Sequence, residues 1–271
     1  LGLEHSVHKD LLLYGTVATG YLGPTVKFSS LTATRSDVKP QKVRDVTLGF
    51  KAQFLKRWIT VNGSLFNDAY TDLQTAYFNG TEFLTQNAGG ARSRGVELDM
   101  SARITQGFRV RASATYADAI FTDYVTACPK TAPVASCFGP LVQGRPQYYQ
   151  AANTGIPGSP KLTAVLGADY NMAMGEDHFM DASANYGYRS KTLYDPGTPG
   201  STQDAYGTLN MAAHYGSVDD RWRVGVYLRN AFDKRYHAAV IGQPFNAPGG
   251  TVNWTSFEGS RHAGVTLALR Y

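Results

Sequence analysis

The sequence has no run of about 18 apolar residues, the least that crosses a bilayer as a helix, so a helical membrane span is excluded. It opens without a basic stretch followed by an apolar one, so no secretory leader is visible and the chain reads as cytosolic, processed or truncated. Charged residues are scarce at 17%, against about a quarter in ordinary globular proteins. The net charge of +5 comes without any block of like charges, which argues against a nucleic-acid-binding face and predicts no nucleic-acid partner. Cysteine is limited to Cys128 and Cys137, in the Pro-, Ala- and Ser-rich stretch CPKTAPVASC. A loop disulfide formed in an oxidising compartment is one reading and two unrelated thiols the other, while a zinc site lacks its further ligands.

Catalytic signatures are missing as well. There is no G-x-S-x-G elbow, no H-E-x-x-H, no phosphate-cradling G-x-x-x-x-G-K-[ST] and no EF-hand loop. His5 and His8 lie close together without a third ligand, and His178, His214, His237 and His262 are isolated. Asp219–Asp220 and Glu176–Asp177 read as solvated turn carboxylates. No metal, cofactor or enzymatic activity is expected.

What the sequence does have is alternation. In VRDVTLGFKAQF (43–54) Val46, Leu48, Phe50, Ala52 and Phe54 share a face. RGVELDMSARI (94–104), FRVRASATY (108–116), KLTAVLGADYNM (161–172) and RWRVGVYL (221–228) repeat the pattern, and RHAGVTLALRY (261–271) ends the chain on it with Val265, Leu267, Leu269 and Tyr271. Weaker versions run through 11–21, 57–70, 178–190 and 205–215. Period two is the signature of a strand with two unlike faces, and about ten such strands are expected. Many segments run to roughly 11–16 residues, where soluble strands average about 5–6 and a tilted membrane strand needs about 9–11.

The connections alternate too. Short ones fall at 55–56, 105–107, 174–177 and 217–220, and long ones at about 22–41, 72–90, 124–159, 191–204 and 237–256. Regular alternation of tight turns with long loops fits an all-β, transmembrane antiparallel barrel better than a soluble sandwich. Glu97, Asp99, Arg109, Arg111, Arg221 and Arg223 lie within strands, opposite apolar faces, and would then line a wet lumen. Tyr116, Tyr170, Tyr186, Tyr188, Tyr215, Trp222, Tyr236 and Tyr271 fall near segment ends and suit an aromatic girdle, although tyrosine is also a common strand residue. In a closed sheet the last strand pairs with the first, which leaves no edge.

Several stretches resemble one family. A final strand ending on an aromatic is similar to the C-terminal assembly signal of bacterial outer-membrane proteins. VKPQKVRDVTLGFKAQF (38–54), FNDAYTDLQ (66–74), NAGGARSRGVELDMSARI (87–104), PGSPKLTAVLGADY (157–170) and LRNAFDKRY (228–236) resemble, in order, strands of TonB-dependent outer-membrane receptors. The resemblance implies a barrel of about 22 strands with a plugged lumen. Residues 1–271 would form its C-terminal part, with the N-terminal plug absent. It further implies a location in the outer membrane of a Gram-negative bacterium and TonB-energised import of a scarce ligand such as a ferric siderophore. The partners it implies are outer-membrane lipid, the TonB system acting through a plug, and the barrel-assembly machinery. Candidate ligand contacts are the loop aromatics Tyr148, Tyr149, Tyr194, Phe245 and Trp254. Two alternatives stand beside this reading. One is a self-contained small barrel with surface-protease activity recruiting Asp204, His237 and Glu258, and the other is a soluble all-β binding protein.

Overall fold

A computed structural model describes residues 1–29, 35–78, 83–142, 144–242 and 250–270. Its wall is one 11-stranded sheet. The strands are β1 (Gly2–His8), β2 (Leu11–Leu22), β3 (Gln41–Phe54), β4 (Ile59–Phe78), β5 (Phe83–Arg103), β6 (Phe108–Asp123), β7 (Leu162–Met174), β8 (His178–Arg189), β9 (Tyr206–Ser217), β10 (Trp222–Arg229) and β11 (His262–Leu269). Each pairs antiparallel with the next in sequence, an up-and-down meander that short turns make easy.

The wall's eleven strands agree with the expected ten or so, the first of them being Gly2–His8, which pairs with β2. One expectation needs correction. The supposed loop at 72–90 is largely strand: β4 and β5 run 20 and 21 residues, with Asp72 at φ 53 where the ladder skips a residue. The sheet is open, with β1 and β11 as its two edges.

The two faces differ as the alternation predicts. Direct cross-strand partners share a face, so rows can be followed across the sheet. One row runs Leu13, Phe50, Gly63, Leu98, Ala114, Ala164 and Tyr188. Leu48, Leu65, Val96, Leu98, Val226, Val265, Leu267 and Leu269 occupy this apolar face and stay 46–72% exposed. Such a continuous apolar surface is excessive for a water-soluble protein and ordinary for a wall facing acyl chains. The opposite face carries Asn62, Asp99, Ser113, Arg111 and Asn185, which line a cleft of about 320 Å³. The polar face is therefore the concave one.

Aromatics mark the short-turn end of the apolar face. His178 stacks on Tyr215 at 5.5 Å, and Trp222 meets both rings at 5.8 and 5.6 Å. Phe108 meets Tyr170 across the same boundary. Tyr236 is not part of such a girdle: it follows β10 and stacks on Tyr206 at 4.4 Å. Tyr271 lies outside the described residues.

The densest packing sits beneath the long loops. Ala88, Ala91, Phe121, Tyr124 and Ala151 form a buried cluster, flanked by Tyr70, Leu73, Tyr149 and Ile156. The segment after residue 150 returns to the wall, where Asn153 and Ile156 donate backbone bonds to Phe121 and Ala119. At Gly95, Phe66 of β4 lies over the backbone, and a Cβ there would come within 1.8 Å of the Tyr116 carbonyl oxygen.

Candidate ligand-binding surface and lumenal wall

The motifs that carry the family resemblance act as structural clamps. Asn87 accepts from the Lys39 N–H at 2.8 Å and donates to the carbonyls of Lys39 and Asp72, which ties the segment before β3 to the β4–β5 hairpin. Gln74 reinforces the clamp by donating to the Gly23 and Lys39 carbonyls. In the stretch after β10, Asn230 is 2% exposed and bonds both the N–H and the carbonyl of Lys234. Asp233 accepts from the Arg261 N–H at 2.8 Å, a bond that holds its carboxyl below the ordinary value, helped by the charges of Arg235 and Arg261. These positions fix the backbone where wall becomes loop and leave their side chains unavailable to a ligand.

Beyond the wall, the loops build small sheets of their own. Val125–Ala127, Cys137–Val142 and Arg145–Gln150 make a three-stranded sheet, and Cys128 is joined to Cys137 by a disulfide at its base. His237–Gly242 pairs with Thr251–Thr255. Polar bonds join these pieces. Thr131 lies 2.9 Å from Thr198, which donates to Asp195 at 2.6 Å; Ser201 donates to the Val240 carbonyl; and the His237 N–H donates to Gln203. Burial raises the Asp195 carboxyl above its ordinary value, and the bonds from Thr198 and the Gly242 backbone offset part of that rise.

Of the five loop aromatics, the four that are described have different surroundings. Tyr149 packs against the buried cluster and over Gly197. Tyr194 donates to the His237 carbonyl at 3.2 Å, beside the hairpin that carries Trp254. Tyr148 and Trp254 are 45% and 62% exposed, and Phe245 lies outside the described residues. Sequence reasoning missed Phe138, Leu141 and Val142, which join Tyr148 in an exposed apolar tip. Their only signal was an apolar run within an otherwise small-residue loop.

On the concave face a second polar region lies near the short turns. A cleft of about 350 Å³ is lined by Arg103, Arg109, Arg111, Asp169 and Asn171 among others. Arg111 pairs with Asp169 at 2.7 Å, whereas Arg103 and Arg109, directly opposite each other, have no carboxylate partner among the described residues. Farther along, Asp181 accepts from Arg223 and lies 2.8 Å from His214 Nδ1. No hydrogen bond or ion pair joins Asp204, His237 and Glu258 to one another among the described residues. Asp204 meets Lys191, His237 approaches Thr255, and Glu258 is held through its backbone by Ser256.

Comparison with known proteins agrees with this architecture. The curated metal-pseudopaline receptor CntO of Pseudomonas aeruginosa is 27% identical over 170 residues, 63% of this chain and 21% of that receptor. The crystal structure of the ferric yersiniabactin uptake receptor FyuA from Yersinia pestis superposes with a TM-score of 0.74 at 18% identity, covering 98% of this chain and 36% of its own. The copper transporter OprC superposes with a TM-score of 0.64, again at 18% identity, over 98% of this chain and 38% of its own. The chain thus spans about a fifth of the curated relative and little more than a third of these solved structures. The family model described as TonB dependent receptor-like, beta-barrel matches residues 1–231, and the chain belongs to that family.

Proposed function

We propose that this chain is the C-terminal part of the barrel of an outer-membrane receptor in a Gram-negative bacterium. The receptor imports a scarce ligand, a ferric siderophore or a related metal chelate, with energy delivered by TonB through a plug encoded outside these residues. The observation that carries the reading is the wall itself, apolar outside and polar inside, with bonded loops at one end only. The exposed tip of Phe138, Leu141 and Tyr148 supplies apolar area for first capture, and Trp254 extends it. The lumenal guanidinium groups of Arg103 and Arg109 favour passage of an anionic complex. The receptors named above take metal chelates or metal, which supports the substrate class. The barrel-assembly machinery would engage the last strand through Val265, Leu267, Leu269 and Tyr271, and the proposal includes no enzymatic activity.

The test is uptake in a strain deleted for the full-length gene. Radiolabelled ferric siderophores and metal chelates are offered to the deletion strain, to the restored strain and to the restored strain without TonB. Uptake that returns on restoration and vanishes without TonB is expected. Equal uptake in all three strains for every chelate offered would remove the transport reading.

A further inference from the structure

The apolar outer face does not continue to the top of the wall. Counted upward from the short turns, β5 presents Ala102, Met100, Leu98 and Val96, and then Arg94 and Arg92. On β3 the same face runs Ala52, Phe50, Leu48 and Val46 before Arg44 and Lys42, and on β6 it reaches Tyr116 before Asp118. The switch comes about nine residues above the turns, which at ~3.3 Å per residue and a tilt of ~45° is ~21 Å, close to the ~25 Å apolar band of such barrels. The cations therefore stand level with the outer-leaflet headgroups.

They are grouped. One row reads Thr19, Arg44, Ala69, Arg92 and Ile120, and the next Val17, Val46, Asn67, Arg94 and Asp118. Asp118 gathers Arg92 at 3.4 Å, Arg94 at 3.9 Å and Lys161 at 3.3 Å. Lys42 and Arg44, both exposed, have no ion-pair partner among the described residues. The small Ala69 and the short Asn67 separate the two groups, leaving a shallow trough on β4. Five cations thus stand with one carboxylate, Asp118, between β3 and the residue before β7.

Directly beneath them Leu48, Leu65 and Val96 are 59%, 57% and 46% exposed. An occupant of the trough must combine anionic groups above with hydrocarbon below, which selects a lipid over a free anion or a protein. Guanidinium groups favour phosphate through paired hydrogen bonds. Two cation groups flanking a trough, with strands ~4.8 Å apart, suit two phosphates carried on one headgroup about 10 Å wide.

We propose that Lys42–Arg44 and Arg92–Arg94–Lys161 form a binding site for a bisphosphorylated glycolipid of the outer leaflet, one phosphate on each group. This rests on the outer-membrane reading above and adds a specific lipid contact to it. The site is fixed by the wall, and its occupant covers the apolar rows of β3, β4 and β5.

The test uses native mass spectrometry of the purified full-length protein titrated with bisphosphorylated lipid A, its monophosphorylated form or phosphatidylethanolamine. Wild-type protein should retain the bisphosphorylated lipid most strongly, and the monophosphorylated form should be weaker by roughly tenfold. The variant Arg44→Gln/Arg92→Gln/Arg94→Gln should lose about 100-fold in retention, while Arg221→Gln at a periplasmic turn should change nothing. Millimolar inorganic phosphate should not compete. Equal retention of all three lipids by the wild type would overturn the proposal even if the triple variant failed to fold, and so would full competition by inorganic phosphate. Lipid retention intact in a protein that imports nothing would remove the transport reading and leave this one standing.

Discussion

Substituting Leu98 by Arg tests which side of the wall meets lipid. Leu98 lies about five residues above the end of β5 at Arg103, so a rise of ~3.3 Å and a tilt of ~45° place it ~12 Å up, near the middle of a ~25 Å band. It is 47% exposed on the apolar face, between Gly63 and Ala114, neither of which offers an acceptor side chain. An arginine at that depth costs about 2–4 kcal/mol, and the cost falls to about 0–1 kcal/mol near the interfaces. Val96→Arg, two residues higher, should cost about 1–2 kcal/mol on the same gradient, and the next outward position already holds Arg94. Glu97 points to the concave face opposite Ser64 and Thr115, so Glu97→Arg should stay within about 0.5 kcal/mol of wild type. The assay is denaturant unfolding of the full-length protein refolded into phospholipid bilayers, followed by tryptophan fluorescence. The expected order of cost is residue 98, then 96, then 97. A larger cost at residue 97 than at 98 would falsify the assignment of faces and the membrane reading with it.

Reduction of the Cys128–Cys137 disulfide should loosen the three-stranded loop sheet by about 2–3 kcal/mol, the loop-closure value for so short a ring, seen as faster proteolysis within 124–150 and an unchanged global transition. Asp195 gives that loop cluster a pH dependence. Its folded value is raised above 3.8, so its contribution to order is complete below that value and is lost as pH rises through the raised one. Hydrogen exchange of loop amides should quicken over that interval, and Asp195→Asn should flatten the slope; an equal slope in the variant would count against the assignment. Asp181→Asn should cost about 1–2 kcal/mol, because it removes the charge opposite Arg223 and replaces one of the two oxygens shared by Arg223 and His214 with an NH2 donor in a half-buried site. Leu55, Lys56 and Arg57 all adopt positive φ in the turn before β4, so Lys56→Gly should stabilise the protein by about 1 kcal/mol in the same unfolding assay.

The wall was legible because a membrane barrel imposes one rule on every strand. Each position looks either at acyl chains or at water, so the period of two survives even where small residues dilute it, as along β9. What the rule does not reach is the continuation of β4 and β5 above the membrane. There neither face meets lipid, and the runs of mixed polarity across 72–90 read as loop. Closure was equally out of reach. It depends on curvature summed over all strands of the barrel, a quantity that no single alternation pattern encodes.

The loops were illegible for a different physical reason. Their order comes from bonds between segments far apart in sequence: Ser201 to Val240, Tyr194 to His237, Thr131 to Thr198. Tyr149 and Tyr148 are neighbours of one chemical type, yet one is committed to the buried cluster and the other to solvent, and only the register of the loop sheet decides which. The clamps at Asn87, Gln74 and Asn230 show the converse. They sit in the stretches that carried the resemblance, and their bonds are to backbone groups, which any sequence in the family supplies. Motifs of this kind therefore report how loops leave the barrel and are silent on what the loops hold. If the proposed receptor function holds, the variants informative for its ligand lie at Phe138, Leu141, Tyr148 and Trp254, where side chains are exposed and bonded to nothing that the fold needs.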